Sequence, residues 1–152
     1  MTINAKVMKV LFDAGISRVI DWLEKKNWTL DIDYCNRDEM QPEARQITIN
    51  ARQGIEKQLY SLLHECGHLL VQQNLERYET SYPATAKMNC YATTNRQLER
   101  SKKYKVDILS EEIEAWRRGK SLASRLGVYI NEERYNELTA ECIYSYILWA
   151  AK

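Results

Sequence analysis

Two histidines occur in this chain of 152 residues, and they stand four positions apart with a glutamate directly after the first: His64-Glu65-Cys66-Gly67-His68. The segment reads HExxH and lies inside the apolar run LYSLLHECGHLLV. On a helix, residues four apart share a face one turn apart, so the two imidazoles can grip one metal ion together. Glu65 stands about 100 degrees around from His64, beside such an ion and not on it, where it can act on water at the metal. Zinc suits this chemistry, because it lowers the pKa of a bound water towards about 7 and a neighbouring carboxylate can take the proton as the water attacks a carbonyl. Gly67, with no side chain, lets a neighbouring strand or a substrate backbone come close.

Two imidazoles do not complete a catalytic zinc site, which takes three protein ligands. No third histidine exists, so the remaining ligand is expected to be Glu, Asp or Cys. A later helix carrying Glu111, Glu112 and Glu114 is the expected supplier, and its phase separates the three. Glu112 falls in line with Trp116, Gly119 and Ala123 at steps of four, seven and eleven, so it points into the domain. Glu111 lines up with Ala115, Arg118 and Leu122 at the border and is the alternative ligand. Glu114 lines up with Arg118, Ser121 and Arg125, a solvated face, as a partner for Arg117 or Arg118. A buried carboxylate costs several kcal/mol unless it is paired or bound to a metal, the physical reason to expect a function of Glu112. Tyr60, one turn before His64, could donate to a developing oxyanion or serve as a core aromatic with a wet hydroxyl. Tyr78, Tyr82 and Tyr91 could reach over the cleft.

The elements that must position these groups are partly legible. Residues 4–26 repeat apolar side chains at three and four, with Asp13-Ala14-Gly15 a point of kinking or breakage and Asn27 a stop. Trp28–Tyr34 and Gln46–Asn50 alternate as strands, with a polar connection between them. The motif helix is expected from Ile55 to Leu75, apolar on most sides and therefore central. Residues 76–107 are polar and weakly periodic, and Pro83 interrupts them, so they read as a long loop or mobile lid. Ser110 is expected to cap the Glu-bearing helix, with Gly127 as its stop. A last helix is expected from Asn131 through Tyr146 and Trp149, as core or as an oligomer face.

Composition bounds the rest. Hydrophobic residues are 45% and charged residues 28% of the chain, with only 5 Gly and 2 Pro, a globular composition biased towards helix. One domain spanning 1–152 is expected. The net charge of +1 points to no general affinity for nucleic acid, and the basic run RQLERSKKYK reads as solvated surface. No apolar stretch approaches a membrane span, and no signal-peptide core is found, so a cytoplasmic protein is expected. Cys35, Cys66, Cys90 and Cys142 are widely spread without a CxxC pair and read as reduced thiols.

HExGH on a buried helix after a short strand, followed by a Glu-bearing helix, resembles the gluzincins, the zinc peptidases whose third ligand is glutamate. Among small domains it is similar to the minimal ImmA/IrrE-type metallopeptidase domain, over roughly residues 44–126. The stretch EExxAWxxGxxLAxxLG also looks like that of small phage and bacterial HExxH proteins. In the ImmA/IrrE-type family the second helix carries a Glu followed by small and aromatic residues. Anchoring on the Glu-Ala pair would make Glu114 the ligand, whereas helical phase selects Glu112. The resemblance implies a mainly helical α+β, zincin-like fold, with a small sheet packed on the HExxH helix. It also implies a Zn²⁺-dependent peptidase acting on a protein or peptide substrate, with His64, His68 and Glu112 on the metal and Glu65 as general base. The rival expectation is a non-catalytic, zinc-containing binding or regulatory module. A third is zinc hydrolysis of a non-peptide amide.

Overall fold

The computed structural model describes residues 4–34, 37–90 and 95–152. The first helix, α1 (Ala5–Lys25), is capped by the Asn4 side chain, which accepts from the Lys6 amide. It buries Phe12, Ile16, Val19 and Leu23, and full burial of such side chains contributes about 1.5–3 kcal/mol each. The break expected at Gly15 does not occur. A Cβ there would stand 2.9 Å from Val128 and 3.1 Å from Leu59, so this glycine permits close packing and leaves the helix whole. Asn27, with φ of 61°, turns the chain out of α1.

Three strands follow: β1 (Thr29–Asp33), β2 (Glu39–Gln41) and β3 (Gln46–Asn50). The sheet order is β1-β3-β2, so β3 is central. β1 runs parallel to β3, pairing Leu30 with Ile47 and Ile32 with Ile49. β2 runs antiparallel to β3 and forms the far edge. It lies inside the stretch expected to be mere connection, being only three residues long and too short for alternation to register. Ile47, Thr48 and Ile49 are all buried, as befits a middle strand.

The motif helix α2 (Ile55–Gln72) packs on β3, on α1 and on the later α6 (Lys102–Leu126). Leu59, Tyr60, Leu62, Leu63, Cys66 and Leu69 are buried around most of its circumference. It stops earlier than expected because Asn74 caps a new helix. The loop or lid expected over 76–107 is largely helical instead: α3 (Leu75–Ser81), α4 (Pro83–Asn89), α5 (Arg96–Glu99) and the first turns of α6. Each piece has its own start, with Pro83 at the first turn of α4 and the Asn95 side chain accepting from the Leu98 amide before α5. Asp107 Oδ2 accepts from the Ala84 and Thr85 amides, tying α4 to α6.

The cap of α6 lies nine residues before the expected one: Ser101, not Ser110, accepts from the Tyr104 amide. The early turns carry Lys102, Lys103, Lys105 and an exposed Val106, so no apolar stripe announces them. The end is as expected, with Gly127 at φ of 65°, a conformation that suits glycine at a helix C-terminus. The last helix, α7 (Glu132–Ala150), starts on Asn131, whose side chain accepts from the Arg134 amide. Its far half is not core, since Tyr144, Ile147 and Leu148 are exposed.

Among the described residues the architecture is therefore mainly helical α+β: seven helices and a three-stranded mixed sheet packed against α2. No helix among them is long and apolar enough to cross a membrane. Cys66, Cys90 and Cys142 are free thiols, and Cys35 and Tyr91 lie outside the described residues.

The α2–α6 contact fixes the geometry of the site. Gly67 lies against the backbone of Ala115, and Gly119 against the backbone of Leu63. Each helix thus offers a glycine where the other presents main chain, and the two approach more closely than side chains would allow.

Candidate metal centre

This close approach brings Glu112 over the two histidines. Glu112 Oε2 lies 2.9 Å from His64 Nε2, and Oε1 lies 3.0 Å from His68 Nε2. The two Nε2 atoms are 3.2 Å apart. One ligand atom from each of the three residues falls within 4.8 Å of the others, so the group could hold a metal ion.

The donor set fits such an ion. Zinc–nitrogen and zinc–oxygen bonds of about 2.0–2.1 Å place tetrahedral ligands about 3.3 Å from one another, close to the spacings seen. Each imidazole Nε2 faces one oxygen of Glu112, and Glu65 and Glu112 crowd this corner with side chains less than a tenth exposed. A dication would satisfy the inward-facing lone pairs together.

The rings are held from behind. The indole of Trp116 stacks on His64 at 4.3 Å and 11°, and Tyr135 donates to the Trp116 carbonyl at 2.6 Å. Glu111 is buried, not at a border, and Oε2 lies 2.6 Å from His68 Nδ1. Glu114 points outward and accepts from Arg117 at 3.1 Å and Arg118 at 3.0 Å, as helical phase implied. Glu65 Oε1 is 3.6 Å from His64 Nδ1, and the residue is 7% exposed.

Electrostatics follow from this crowding. Burial raises the proton affinity of Glu65, opposed by the two imidazoles. Burial also acts to raise Glu112, but hydrogen bonds from His64 and His68 prevail and hold it down at about 2. For His68, burial acts to lower the pKa, and the hydrogen bonds to Glu111 and Glu112 outweigh it, holding the imidazole up at about 10. These hydrogen bonds favour the protonated imidazole of His68 in the metal-free protein, so an ion bound there would displace that proton. Metal binding is expected to release about one proton per ion near pH 7, read by calorimetry in buffers of different ionisation enthalpy. Apparent affinity should rise about tenfold per pH unit and level off above the His68 pKa. An affinity flat between pH 6 and 9 would contradict this.

The group faces an open cleft of about 460 Å³. Arg37, Asp38, Glu39 and Met40 line one side, on and before the edge strand β2; Gln72, Tyr78, Thr85, Asn89, Ile108 and Tyr146 line the others. Sequence reasoning placed Tyr78 near the cleft but missed Asp38, Gln72 and the site-facing side of Tyr146. Tyr146 continues the stripe Tyr135, Leu138, Cys142 along α7, and that periodicity was the available signal. Tyr60 is elsewhere: it is 1% exposed, and its hydroxyl accepts from the Asn131 amide at 2.8 Å. Neither a family model nor a curated protein nor a solved structure matches the chain.

Proposed function

We propose that this chain is a zinc-dependent peptidase of gluzincin type, similar to the minimal ImmA/IrrE-type domains and acting on a protein or peptide substrate. One observation carries the reading: two imidazole nitrogens and a carboxylate converge on a point in an open cleft, with a second carboxylate, Glu65, beside them and not among them. A purely structural ion would have no need of Glu65. His64, His68 and Glu112 would hold the zinc, which when bound polarises a carbonyl and acidifies water.

The chain's own residues do the rest. Glu65 takes a proton from the attacking water and passes it to the leaving amine. Burial, by raising its proton affinity, brings Glu65 nearer the range where it can both accept and return a proton. Tyr146 lines the cleft and its hydroxyl donates a hydrogen bond to Glu112, which would steady that ligand. β2, an edge strand, lines one side of the cleft, where an extended segment of a substrate chain would lie alongside it.

The test is metal content after purification with zinc supplied. Wild type and Glu114→Ala are expected to carry about one zinc per chain, and Glu112→Ala almost none. Glu114 makes only surface ion pairs, so its removal should cost no more than about 1 kcal/mol of stability. Wild type that stays metal-free, or loss of zinc with Glu114→Ala and not with Glu112→Ala, would end this reading.

A further inference from the structure

Glu111 sits one residue before the proposed ligand yet faces the other side of His68. Its Oε2 is 2.6 Å from Nδ1, whereas His68 Nε2 faces His64 and Glu112. Both Glu111 oxygens are already engaged. Tyr78 donates to Oε1 at 2.6 Å, and the Gln72 amide donates to Oε2 at 2.9 Å. One buried carboxylate therefore joins three elements: the end of α2 through Gln72, α3 through Tyr78, and its own α6. The Tyr78 ring is itself buried at 4% exposure.

We infer that Glu111 is a positioning residue for the metal centre, and that Tyr78 makes the hold on the ion depend on the seating of α3. The inference rests on the proposed metal site. A histidine that binds metal through Nε2 carries its proton on Nδ1, and an acceptor there fixes both the tautomer and the plane of the ring. Glu111 is that acceptor for His68. It can aim the ring only while it is aimed itself, and Tyr78 is the donor to its Oε1. If α3 lifts, Tyr78 leaves, Glu111 turns, and His68 loses its orientation. Coupling of this kind is reciprocal, so an ion that requires His68 in place must also favour α3 in place. The site would then be regulated by whatever binds or displaces the short helix Leu75–Ser81.

The experiment is a chelator competition with Co²⁺ and Zn²⁺ on the full chain, comparing wild type, Tyr78→Phe, Glu111→Gln and Glu112→Ala. Circular dichroism on each variant without metal confirms that it is folded. Glu111→Gln and Tyr78→Phe are expected to keep one ion per chain, with affinity lower by about 10–100-fold and about 10-fold respectively. The Co²⁺ visible bands should shift in both. Glu112→Ala is expected to lose stoichiometric binding. Hydrogen exchange supplies a readout that a merely structural Tyr78 would not move: Zn²⁺ should slow exchange of the α3 amides in wild type and do so much less in Tyr78→Phe. Wild-type affinity, bands and exchange in both variants would overturn the inference while leaving the metal site standing. So would loss of stoichiometry in a folded Glu111→Gln, which would make Glu111 a ligand. Wild type that takes up neither ion would remove the metal site, and this inference with it.

Discussion

On the proposed peptidase reading, Glu65→Gln is expected to retain one metal ion per chain and to lose peptide hydrolysis by about 10²–10⁴-fold. Gln has nearly the volume of Glu and can still accept a hydrogen bond, so the packing of this 7% exposed side chain is preserved. What disappears is the capacity to take a proton. The three groups that converge on the metal position are His64, His68 and Glu112, and the substitution leaves all of them in place. Metal analysis together with mass-spectrometric detection of cleavage in a synthetic peptide library would read both halves of the expectation. Equal cleavage by wild type and a metal-loaded Glu65→Gln would remove Glu65 from the chemistry. If the biological effect persists in the metal-loaded variant, the non-catalytic module becomes the better reading.

Gly67→Ala is expected to be the most disruptive of the glycine-to-alanine changes, since Gly67 leaves the least room for a Cβ. Its Cβ would stand 1.9 Å from the Ala115 carbonyl oxygen and 2.6 Å from the carbonyl carbon. Main chain inside a helix cannot swing aside as a side-chain tip can, so α2 and α6 must separate. Overpacking of a core costs about 1–3 kcal/mol and occasionally more, and the upper end applies here. For a chain of this size that corresponds to about 6–12 °C in Tm. The same separation draws Glu112 away from His64 and His68, so zinc affinity should fall in parallel. Thermal unfolding and metal titration of the one variant test both effects. Wild-type Tm with wild-type affinity would show that the helices do not meet as closely as described. A Gly54→Ala control meets nothing within 4 Å and should leave metal binding unchanged.

What could be read without coordinates was whatever depends on near neighbours in the chain. HExxH on a helix needs only a rise and a repeat, and α2 carries it as expected. β1 and β3 were visible because alternating Ile and Thr or Asp positions match the pleat. The inward phase of Glu112 and the outward phase of Glu114 followed from 3.6 residues per turn, and the ion pairs of Glu114 with Arg117 and Arg118 bear out the second. Gly127 and Asn131 were legible as stop and start because their chemistry acts within a few residues.

Other features resisted for identifiable reasons. β2 owes its strand character to β3, not to its own three residues. The short helices between 75 and 99 are held by caps and by Asp107, reaching 23 residues back to Ala84, and a polar composition hides such support. Glu111 looked like a border residue because phase describes one helix at a time. Its burial is set by Tyr78, 33 residues earlier, and by Gln72, 39 earlier.

The chain's order of residues alone determined that two imidazoles and a carboxylate would share one helix, because i to i+4 geometry is local and needs no partner. Helical phase singled out Glu112, but only the folded molecule decided that this group, 48 residues from His64, would close on both imidazoles and that Glu111 would stand behind His68. That choice turns on two glycines letting α2 and α6 touch backbone to backbone, a contact between distant segments that no repeat along the chain encodes.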